Sequence, residues 1–420
     1  MMLSKEETAK NETEVQSLTG QLKILLKGVE ECIGIEDLSR KLQKSTETGT
    51  PLIIKLGLDP SAPDIHLGHT VVLRKIKQFQ ELGHKAVIII GDFTGMIGDP
   101  TGKSKTRRQL NRDEVIKNAL TYQNQIFKIL DKDKTEVRFN SEWLSKLDFT
   151  AVMQLAAKCT VARMLEREDF RNRFKEHESI GIHEFFYPLM QGYDSVELHA
   201  DVEVGGTEQR FNILMGRSLQ KDYGQESQAA LFMPILEGID GVEKMSKSLG
   251  NYVGIDEAPE QMFGKLMSIP DNLIIRYFEL ATDIHPDSLE VLSEQLNLDK
   301  VNPRDVKLNL AAEITKLYHG AAAANRAVDH FTKVFQKREM PESIPEFTVS
   351  EVLKGETDTD LVKLLVSAKL VSSRSEARRL ITQGGVKVNG IRQTGFAGVT
   401  LREGDIIQAG KLKYIKLKFQ

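Results

Sequence analysis

The sequence predicts an α/β fold in which a parallel sheet with a helical insertion is followed by a helical domain and a small α+β domain. Three observations support this prediction. Two short apolar runs flank a segment with helical spacing near the start, a long charged helical region interrupts the strand pattern, and a basic tail combines helices with short strands. At 420 residues with 40% apolar content, the chain is long enough to bury several cores.

The first strand–helix–strand unit lies near the N-terminus. Pro51 to Leu58 and Lys85 to Phe93 are mostly apolar runs typical of buried strands, and Leu67 to Leu82 has apolar side chains at helical spacing. Such a unit, about forty residues long, is the right-handed crossover of a parallel, Rossmann-like sheet. Ligands of these sheets bind beyond the carboxyl ends of the strands, where Asp59 and Asp92 are predicted.

The remaining patterns define the domain boundaries. Strand-like runs resume at 202–204 and 231–236 after a charged helical stretch, and two prolines within 341–345 prevent helix continuation and indicate a linker. We expect an N-terminal helical extension at 1–50, a Rossmann-like domain at 51–250 with a helical insertion at about 107–187, a helical domain at 251–338, a linker at 339–356 and a small α+β domain at 357–420.

The tail carries its own helix and charge signals. A helix from Leu361 to Leu370 precedes a second one that is capped by Ser373, with Glu376 three residues later, and ended by Gly384. From residue 361 onward twelve Lys and Arg oppose three acids, a formal charge of +9; since the whole chain carries −3, the rest carries −12. A basic module on an acidic body is typical of binding to a phosphate backbone. The candidate contacts are Arg374, Arg378, Arg379, Lys387 and Arg392.

Composition argues against several other classes of protein. Cys32 and Cys159 lie far apart without CxxC spacing, so neither a disulfide framework nor a Cys-ligated zinc site is predicted. The polar start of the chain is unlike a targeting segment, and no apolar run of about 18 residues occurs. We therefore expect a cytoplasmic protein without a membrane segment and without zinc.

An HxGH motif, His66 to His69, lies where a strand passes into a helix. The helix N-terminus offers free N–H groups and partial positive charge to phosphate oxygens. Gly68 leaves room for a nucleotide to approach the backbone, and His66 and His69 are candidate catalytic donors to an oxygen that gains charge. The alternative for an isolated HxGH is a pair of capping or core histidines.

A KMSKS motif, Lys244 to Ser248, follows just past the middle of the chain, with glycines before and after it that allow a loop to move. The candidate catalytic ammonium groups of Lys244 and Lys247 suit a triphosphate whose charge rises as pyrophosphate leaves. Loop closure would complete such a site. A solvated basic turn is the alternative for this motif alone. The other candidate ATP-binding residues of the motif are Met245, Ser246 and Ser248.

A third group of polar residues lies between these motifs. Tyr187, Gln191 and Asp194 are spaced i, i+4 and i+7 and share one face of a predicted helix. Their phenol, amide and carboxylate could bind the ammonium and a distal hydroxyl of an amino acid, the alternative being a polar helix surface. A tight turn, GGTEQ, follows at 205–209 and suits a ribose. Its candidate ATP-binding residues are Gly206, Glu208 and Gln209.

Two further patterns lack the spacing that their chemistry requires. Gly98 and Gly102 enclose three residues, whereas a P-loop needs four. His183-Glu184 lacks the second histidine of HExxH, because Tyr187 stands at that position, so no zinc site is indicated.

From about residue 51 to its C-terminus the chain resembles the tyrosyl-tRNA synthetase family of class I aminoacyl-tRNA synthetases. The resemblance rests on the two motifs above, the helix at 187–194, the turn at 205–209 and the stretch GDPTGK at 98–103. It implies activation of L-tyrosine by ATP, with Mg²⁺ on the phosphates, followed by transfer to tRNA(Tyr). It also implies a homodimer formed through the insertion after Arg107, an anticodon-recognition role for the helical domain, and a ribosomal-protein-S-four-like RNA-binding module in the tail.

The resemblance also implies individual roles. Asp59 would lie near the adenylate, Asp194 would bind the tyrosine hydroxyl, and two positions depart from the family pattern. Lys55 stands where one bacterial branch has a tyrosine that donates to the substrate hydroxyl, and Glu208 stands where Asp is usual. The residues implied around the tyrosine ammonium are Asp99, Tyr187 and Gln191, with Lys55 as a further candidate in the tyrosine site, and those implied over the departing phosphates are Lys103 and Arg107.

The chemistry is consistent with this resemblance, because the carboxylate of tyrosine is ionised at pH 7 and needs no general base. Catalysis then consists of positioning and charge stabilisation. Three alternatives differ in their sequence signals. A nucleotidyltransferase would share the HxGH site but lack KMSKS and the basic tail, a non-catalytic RNA binder would not need His66 or Lys247, and a tryptophan enzyme would not need the set at Tyr187, Gln191 and Asp194.

Overall fold

A computed structural model describes the chain in two compact units that divide after Ala324. The predicted site residues Asp59, Asp99, Lys103 and Arg107 lie outside the described residues. The described residues are 17–58, 65–96, 121–333, 344–349, 361–371, 373–396, 399, 401–410 and 413–419.

The strands form one six-stranded and one five-stranded sheet, in the orders β1-β6-β5-β2-β3-β4 and β7-β11-β10-β8-β9. The strands are β1 Glu31–Ile33, β2 Ile53–Leu58, β3 Lys85–Ile90, β4 Thr135–Phe139, β5 Val202–Gly206, β6 Ala229–Met233, β7 Glu346–Val349, β8 Val386–Val388, β9 Ile391–Gln393, β10 Ile406–Ala409 and β11 Lys413–Phe419.

Helices cover most of the remaining described chain. They are α1 Leu18–Leu26, α2 Ile35–Thr48, α3 Leu67–Glu81, α4 Ser141–Leu144, α5 Phe149–Ala156, α6 Val161–Met164, α7 Glu168–Lys175, α8 Phe186–Glu197, α9 Arg210–Asp222, α10 Pro259–Met267, α11 Ile274–Ala281, α12 Pro286–Asn297, α13 Pro303–His319, α14 Ala321–Phe331, α15 Leu361–Ser367 and α16 Arg374–Thr382.

The order of the six-stranded sheet creates a switch point between β2 and β5. The chain runs outward from β2 through β3 to β4, then returns to the other side of β2 with β5 and β6, and all five strands are parallel. The connections that follow β2 and β5 therefore run to opposite faces of the sheet. This leaves a crevice at the carboxyl ends of these two strands. The predicted α/β fold class is confirmed.

Helix α3 follows β2 and directs its N-terminus at this crevice. His66 is its extended N-cap, with φ −119° and ψ 170°, and Gly83 follows its end with φ +94°, a conformation that favours glycine. The apolar side chains of Val71, Ile76 and Phe79 are at most 2% exposed. Burial of this stripe fixes the helix on the sheet, and with it the orientation of the HxGH motif.

Two parts of the predicted organisation need correction. The segment predicted as a helical insertion contains β4, which pairs with β3 in parallel and extends the sheet, with Ile88 opposite Val137. The N-terminal segment predicted as helical contributes β1, which pairs with β6 antiparallel. Short strands that contain charged residues lack the apolar signal of the central strands, so the sequence pattern did not predict them.

The second unit has its own core and a further correction. Strand β7 lies within the predicted linker at 339–356, yet it pairs with β11 in parallel, with Phe347 opposite Leu417. Helix α16 begins as predicted, because the side chain of Ser373 accepts a hydrogen bond from the backbone N–H of Glu376. The apolar sides of both helices and the sheet enclose a separate cluster that includes Leu364, Ile381 and Ile407.

Candidate active site

A cleft of about 640 Å³ lies at the carboxyl ends of β2 and β5, where the sheet order predicts a ligand site. It brings together side chains from the HxGH motif, the KMSKS motif, helix α8 and the turn after β5. The predicted site residues that line it are His66, Gly68, His69, Tyr187, Gln191, Asp194, Gly206, Glu208, Gln209, Lys244, Met245 and Ser246.

The two histidines stack, with ring centroids 3.8 Å apart. The backbone N–H of His66 donates to Nδ1 of His69 at 3.3 Å. Neutral His69 must then carry its proton on Nε2, which leaves that nitrogen as a donor. Burial lowers the pKa of His66 to about 3 and that of His69 to about 4, and the charge of Lys247 acts in the same direction. Both rings are therefore neutral at pH 7.

The KMSKS segment is attached directly to the start of α3. The backbone N–H of Gly68 lies 3.3 Å from Sδ of Met245, whose own N–H donates to the carbonyl of Leu236. The next stretch of chain pairs with the HxGH segment, since the N–H of Leu67 donates to the carbonyl of Val253 at 2.9 Å. Met245 is 5% exposed, so this methionine is a buried contact between the two motifs.

Asn251, which the sequence patterns did not single out, holds the KMSKS segment in shape. Its Oδ1 accepts from the N–H of Ser246 at 2.8 Å, and its Nδ2 donates to Asp240 at 2.6 Å and to the carbonyl of Lys244 at 3.1 Å. A Cβ at Gly238 would lie 2.3 Å from this amide, so that glycine is required for the close approach.

Lys247 and Ser248 belong to the same segment but do not line the cleft. The ammonium of Lys247 lies 5.9 Å from the ring centroid of Tyr252, and the hydroxyl of Ser248 is 2.8 Å from that of Ser246. Lys244 is exposed at the cleft, so the structure places one lysine of the motif there and the other beside it.

Asp194 lies at the bottom of the cleft and is 3% exposed. Its Oδ1 accepts a 2.7 Å hydrogen bond from Nε1 of Trp143, and Nδ2 of Asn140 lies 3.5 Å from its Oδ2. Burial raises the pKa of Asp194 to about 7, while the charge of Lys55 and these two donors hold it down. A buried carboxyl supported in this way can accept a hydrogen bond from a hydroxyl group.

Gln191 and Gln209 are connected through Asn212. The amide of Asn212 donates to Oε1 of Gln191 at 2.9 Å and to Oε1 of Gln209 at 3.0 Å, and its own oxygen accepts from Arg167. With its Oε1 engaged in this way, Gln191 can present its amide N–H groups to a ligand. Tyr187 lies one turn before Gln191 and is 5% exposed.

The turn after β5 accommodates the longer Glu208 by means of a glycine. A Cβ on Gly206 would lie 2.3 Å from Oε2 of Glu208, so the carboxylate folds back over the glycine Cα. Glu208 remains exposed at the cleft. This conformation accommodates the additional methylene of Glu relative to Asp, and it requires that position 206 have no side chain.

Lys55 lies beneath the cleft rather than in it, contrary to its assignment as a tyrosine contact. Its side chain is fully buried, and its ammonium contacts the carbonyl of Gln191 at 2.9 Å, Oγ of Ser195 at 2.7 Å and Oε1 of Glu203 at 2.9 Å. An ammonium has three protons to donate, and these three acceptors use them. The side chain of Lys55 thus extends below the cleft to the buried carboxylate of Glu203, a pairing that the sequence pattern did not predict.

Asp92 also turns away from the cleft. Its carboxylate accepts from the N–H and the hydroxyl of Ser141, at 2.9 and 2.6 Å, and so fixes the start of α4. The residue after it in the chain is tied to the same region, because the N–H of Phe93 donates to Oδ1 of Asn140. Asp92 and the backbone of Phe93 thus fix the segment that carries Asn140, while Ile89, Gly91 and Thr94 at the same strand end line the cleft.

The predicted RNA contacts lie in the second unit. Arg374, Arg378, Arg379 and Arg392 are exposed, whereas Lys387 is partly buried on β8. Arg374 and Arg378 are one helical turn apart on α16 and share a face, as contacts to successive phosphates would require.

Within the described ranges, no three His, Cys, Asp or Glu side chains are grouped to hold a metal ion. Nor is any helix of the described chain both long and apolar enough to cross a bilayer. The absence of zinc stays a prediction.

A parallel sheet with HxGH and KMSKS motifs around its switch-point cleft is the arrangement of class I aminoacyl-tRNA synthetases, and residues 47–336 match the family model described as tRNA synthetases class I (W and Y). Residues 361–407 match the S4 domain. A tyrosine–tRNA ligase 2 of Clostridium acetobutylicum is 60% identical over 403 residues, 96% of this chain and 99% of that protein. A tyrosine–tRNA ligase of Moorella thermoacetica is 57% identical over 96% of both chains. The chain belongs to the tyrosyl-tRNA synthetase family.

Solved structures give the same fold. The tyrosyl-tRNA synthetase of Archaeoglobus fulgidus, complexed with L-tyrosine, is similar with a TM-score of 0.59 at 25% identity, covering 74% of this chain and 99% of that one. A truncated mitochondrial tyrosyl-tRNA synthetase of Aspergillus nidulans has a TM-score of 0.62 at 22% identity, covering 79% and 99%. The latter likeness concerns the fold alone.

Proposed function

We propose that the protein is a tyrosine–tRNA ligase, which activates L-tyrosine with ATP and transfers it to the 3′-terminal adenosine of tRNA(Tyr). The observation that carries the proposal is the position of Asp194, a buried carboxyl at the bottom of a cleft whose rim holds His66, His69 and Lys244. A hydroxyl acceptor and phosphate donors in one cleft suit a phenolic amino acid next to ATP.

In the first step a carboxylate oxygen of tyrosine attacks the α-phosphorus of ATP, and the bond to pyrophosphate breaks with its electron pair leaving on pyrophosphate. Neutral His66 and His69 donate to phosphate oxygens as charge develops there, and the lysines of the KMSKS segment offset the charge of the leaving pyrophosphate. Mg²⁺ bound to ATP would supply further neutralisation of the phosphate charge. The cytoplasm, where ATP and tRNA are present, is the proposed location.

Helix α8 carries side chains that recognise tyrosine. Asp194 accepts from the phenol, while Tyr187 and Gln191 contact the ammonium together with Asp99, and Glu208 contacts the ribose. In support, the first three of these residues share one face of the helix and line the same cleft. Phenylalanine would not supply the hydroxyl donor that tyrosine brings to this buried carboxyl, which costs affinity.

The S4 domain is proposed to bind the tRNA through its basic surface. Arg378→Ala should raise the KM for tRNA(Tyr) by roughly threefold to tenfold in aminoacylation and leave tyrosyl-adenylate formation unchanged, because one phosphate contact is lost. Lys132→Ala, an exposed lysine outside the S4 domain, is the matched control. Equal loss of both activities in Arg378→Ala would refute this division of labour.

We also propose a homodimer that forms through the segment after Arg107. In support, five apolar side chains of that segment are more than half exposed: Phe149, Met153, Val161, Phe174 and Ile182. Apolar side chains in such number on one segment are typical of an interface. Phe149→Glu should lower the sedimentation mass to that of a monomer, whereas Val242→Glu, at an equally exposed position elsewhere, should not.

Exchange of labelled pyrophosphate into ATP, measured with each amino acid in turn, tests the main proposal. Tyrosine should support exchange in the presence of Mg²⁺, and tryptophan and phenylalanine should not. Exchange with tryptophan, or exchange that needs no amino acid, would contradict the assignment to tyrosine.

A further inference from the structure

Lys55 and Glu203 form a fully buried ion pair directly below the helix that lines the cleft. Their side chains are 0% and 2% exposed, and Nζ of Lys55 lies 2.9 Å from Oε1 of Glu203. Lys55 comes from β2 and Glu203 from β5, the two strands that flank the switch point. Burying an ion pair costs the desolvation of both charges, so such a pair is weak evidence for stability. The position of this pair next to the candidate active site therefore suggests a functional role.

The ammonium spans one turn of α8. It contacts the carbonyl of Gln191 at 2.9 Å and Oγ of Ser195 at 2.7 Å, and Asp194 lies on the turn between these two anchors. Ser195 in turn donates to Oε2 of Glu203 at 3.0 Å, and the amide of Gln228 donates to the same oxygen. Lys55 therefore fixes the height and rotation of the turn that presents Gln191 and Asp194 to the cleft.

The same ammonium is the positive charge that faces Asp194. Burial raises the pKa of this carboxyl to about 7; the charge of Lys55 is the strongest opposing influence, ahead of the donors Trp143 and Asn140, while Glu203 acts to raise it. The groups around Asp194 are thus Lys55 on β2, Glu203 on β5, and Asn140 and Trp143 after β4. Of these groups from the described part of the chain, Lys55 is the cation.

We infer that Lys55 is a positioning residue for tyrosine recognition, which acts from beneath the cleft by holding the Gln191–Ser195 turn and by placing a positive charge opposite the hydroxyl-binding carboxylate. The inference rests on the proposed function, since it concerns how that site selects its amino acid. Lys55 does not touch the substrate.

Two variants separate this role from structural support. Lys55→Met/Glu203→Gln removes both charges without leaving either one buried alone, and Glu203→Gln leaves Lys55 facing Asp194. The KM for tyrosine in pyrophosphate exchange is measured between pH 5.5 and 9, with the KM for ATP and kcat. In the double variant the acid-side rise in the KM for tyrosine should move to higher pH, and that KM should rise about tenfold near neutrality. In Glu203→Gln the same transition should move to lower pH.

A matched control is available in the same sheet. Lys41, with a side chain 5% exposed, pairs with Asp201 at 3.0 Å near the amino end of β5, away from the cleft. Lys41→Met/Asp201→Asn should lower thermal stability but leave the KM for tyrosine and its pH dependence unchanged. The inference fails if both Lys55 and Lys41 doubles lose stability and kcat alike with no pH shift, or if the two Glu203 variants shift in the same direction. Absence of tyrosine-dependent exchange in the unsubstituted protein would instead refute the proposed function.

Discussion

The indole Nε1 of Trp143 donates a 2.7 Å hydrogen bond to Oδ1 of Asp194, and this bond joins two segments that are 51 residues apart in the chain. Trp143 packs against Ile89 at the end of the sheet and is 5% exposed. Because the indole is buried, its N–H is directed at this carboxylate oxygen and holds it in one orientation. The carboxyl that we propose as the acceptor of the substrate hydroxyl is oriented by a residue that does not line the cleft.

Trp143→Phe keeps an aromatic ring in this position and removes the donor. Loss of a hydrogen bond to a buried charged group costs about 1–3 kcal/mol, so the KM for tyrosine should rise roughly tenfold or more while the KM for ATP stays within about twofold. Pyrophosphate exchange at varied tyrosine and ATP concentrations measures both. A rise in the KM for ATP of the same size would show that the substitution disturbs the whole cleft.

The pH dependence of tyrosine binding should follow Asp194. Its pKa is raised from 3.8 to about 7, mainly by burial, so acid converts it from an acceptor to a protonated carboxyl. We expect the KM for tyrosine to rise as the pH falls below about 7, measured by exchange between pH 5.5 and 9. An Asp194→Asn variant should show a high KM without this transition.

The same shift has a consequence for folding. Between about pH 4 and 7 the folded carboxyl binds a proton that the unfolded chain has released, so the contribution of Asp194 to the free energy of unfolding is fully present below pH 4 and is lost as the pH rises through 7. Urea unfolding of Asp194→Asn and the unsubstituted protein should therefore differ increasingly across this range.

The two short motifs could be found from the sequence because each is contiguous and begins or ends an element. The partners of Asp194 could not. Asn140 and Trp143 follow β4, a strand whose charged residues hid it within a helical pattern, and no spacing connects them to a residue beyond position 190. Had β4 been recognised, the carboxyl-end rule would have pointed to Asn140, which lines the cleft.

Lys55 illustrates a different limit. The family resemblance made Lys55 a candidate contact in the tyrosine site, whereas its side chain lies beneath the cleft and contacts Gln191, Ser195 and Glu203. The counterion of Lys55 could not be identified from the sequence pattern. Without that partner, a lysine in an apolar strand suggests a contact with a ligand. Glu203 lies on the adjacent parallel strand, whose register only the folded sheet defines.

His66 and His69 should stay neutral throughout the active pH range. Burial lowers the pKa of His66 to about 3 and that of His69 to about 4, so kcat should show no inflection from either ring between pH 5.5 and 8. Titration of the histidine side chains by NMR should give midpoints below 5 for both. Because these pKa values are lowered, the stability that the neutral rings contribute is present above about pH 6.5 and is lost as the pH falls toward 3. A midpoint near 6.5 for His69 would indicate an exposed ring and contradict the arrangement described here.

Gly68→Ala tests whether the two motifs need the contact seen at the start of α3. A Cβ there would lie 3.0 Å from Cε1 of His66, 3.1 Å from its Nδ1 and 3.5 Å from Cβ of Met245. The imidazole would have to shift, and its stacking on His69 and the attachment of the KMSKS segment would shift with it. We expect kcat/KM for ATP in pyrophosphate exchange to fall by roughly 10- to 100-fold, since a misplaced donor costs on the order of 2 kcal/mol in the transition state. The KM for tyrosine should change little, because Asp194 and Gln191 lie on another helix.

Gly264→Ala is the matched control, since nothing lies within 4 Å of a Cβ at this position in α10. That variant should keep full activity, and an equal loss in both would mean that the two motifs do not depend on the close approach at Gly68.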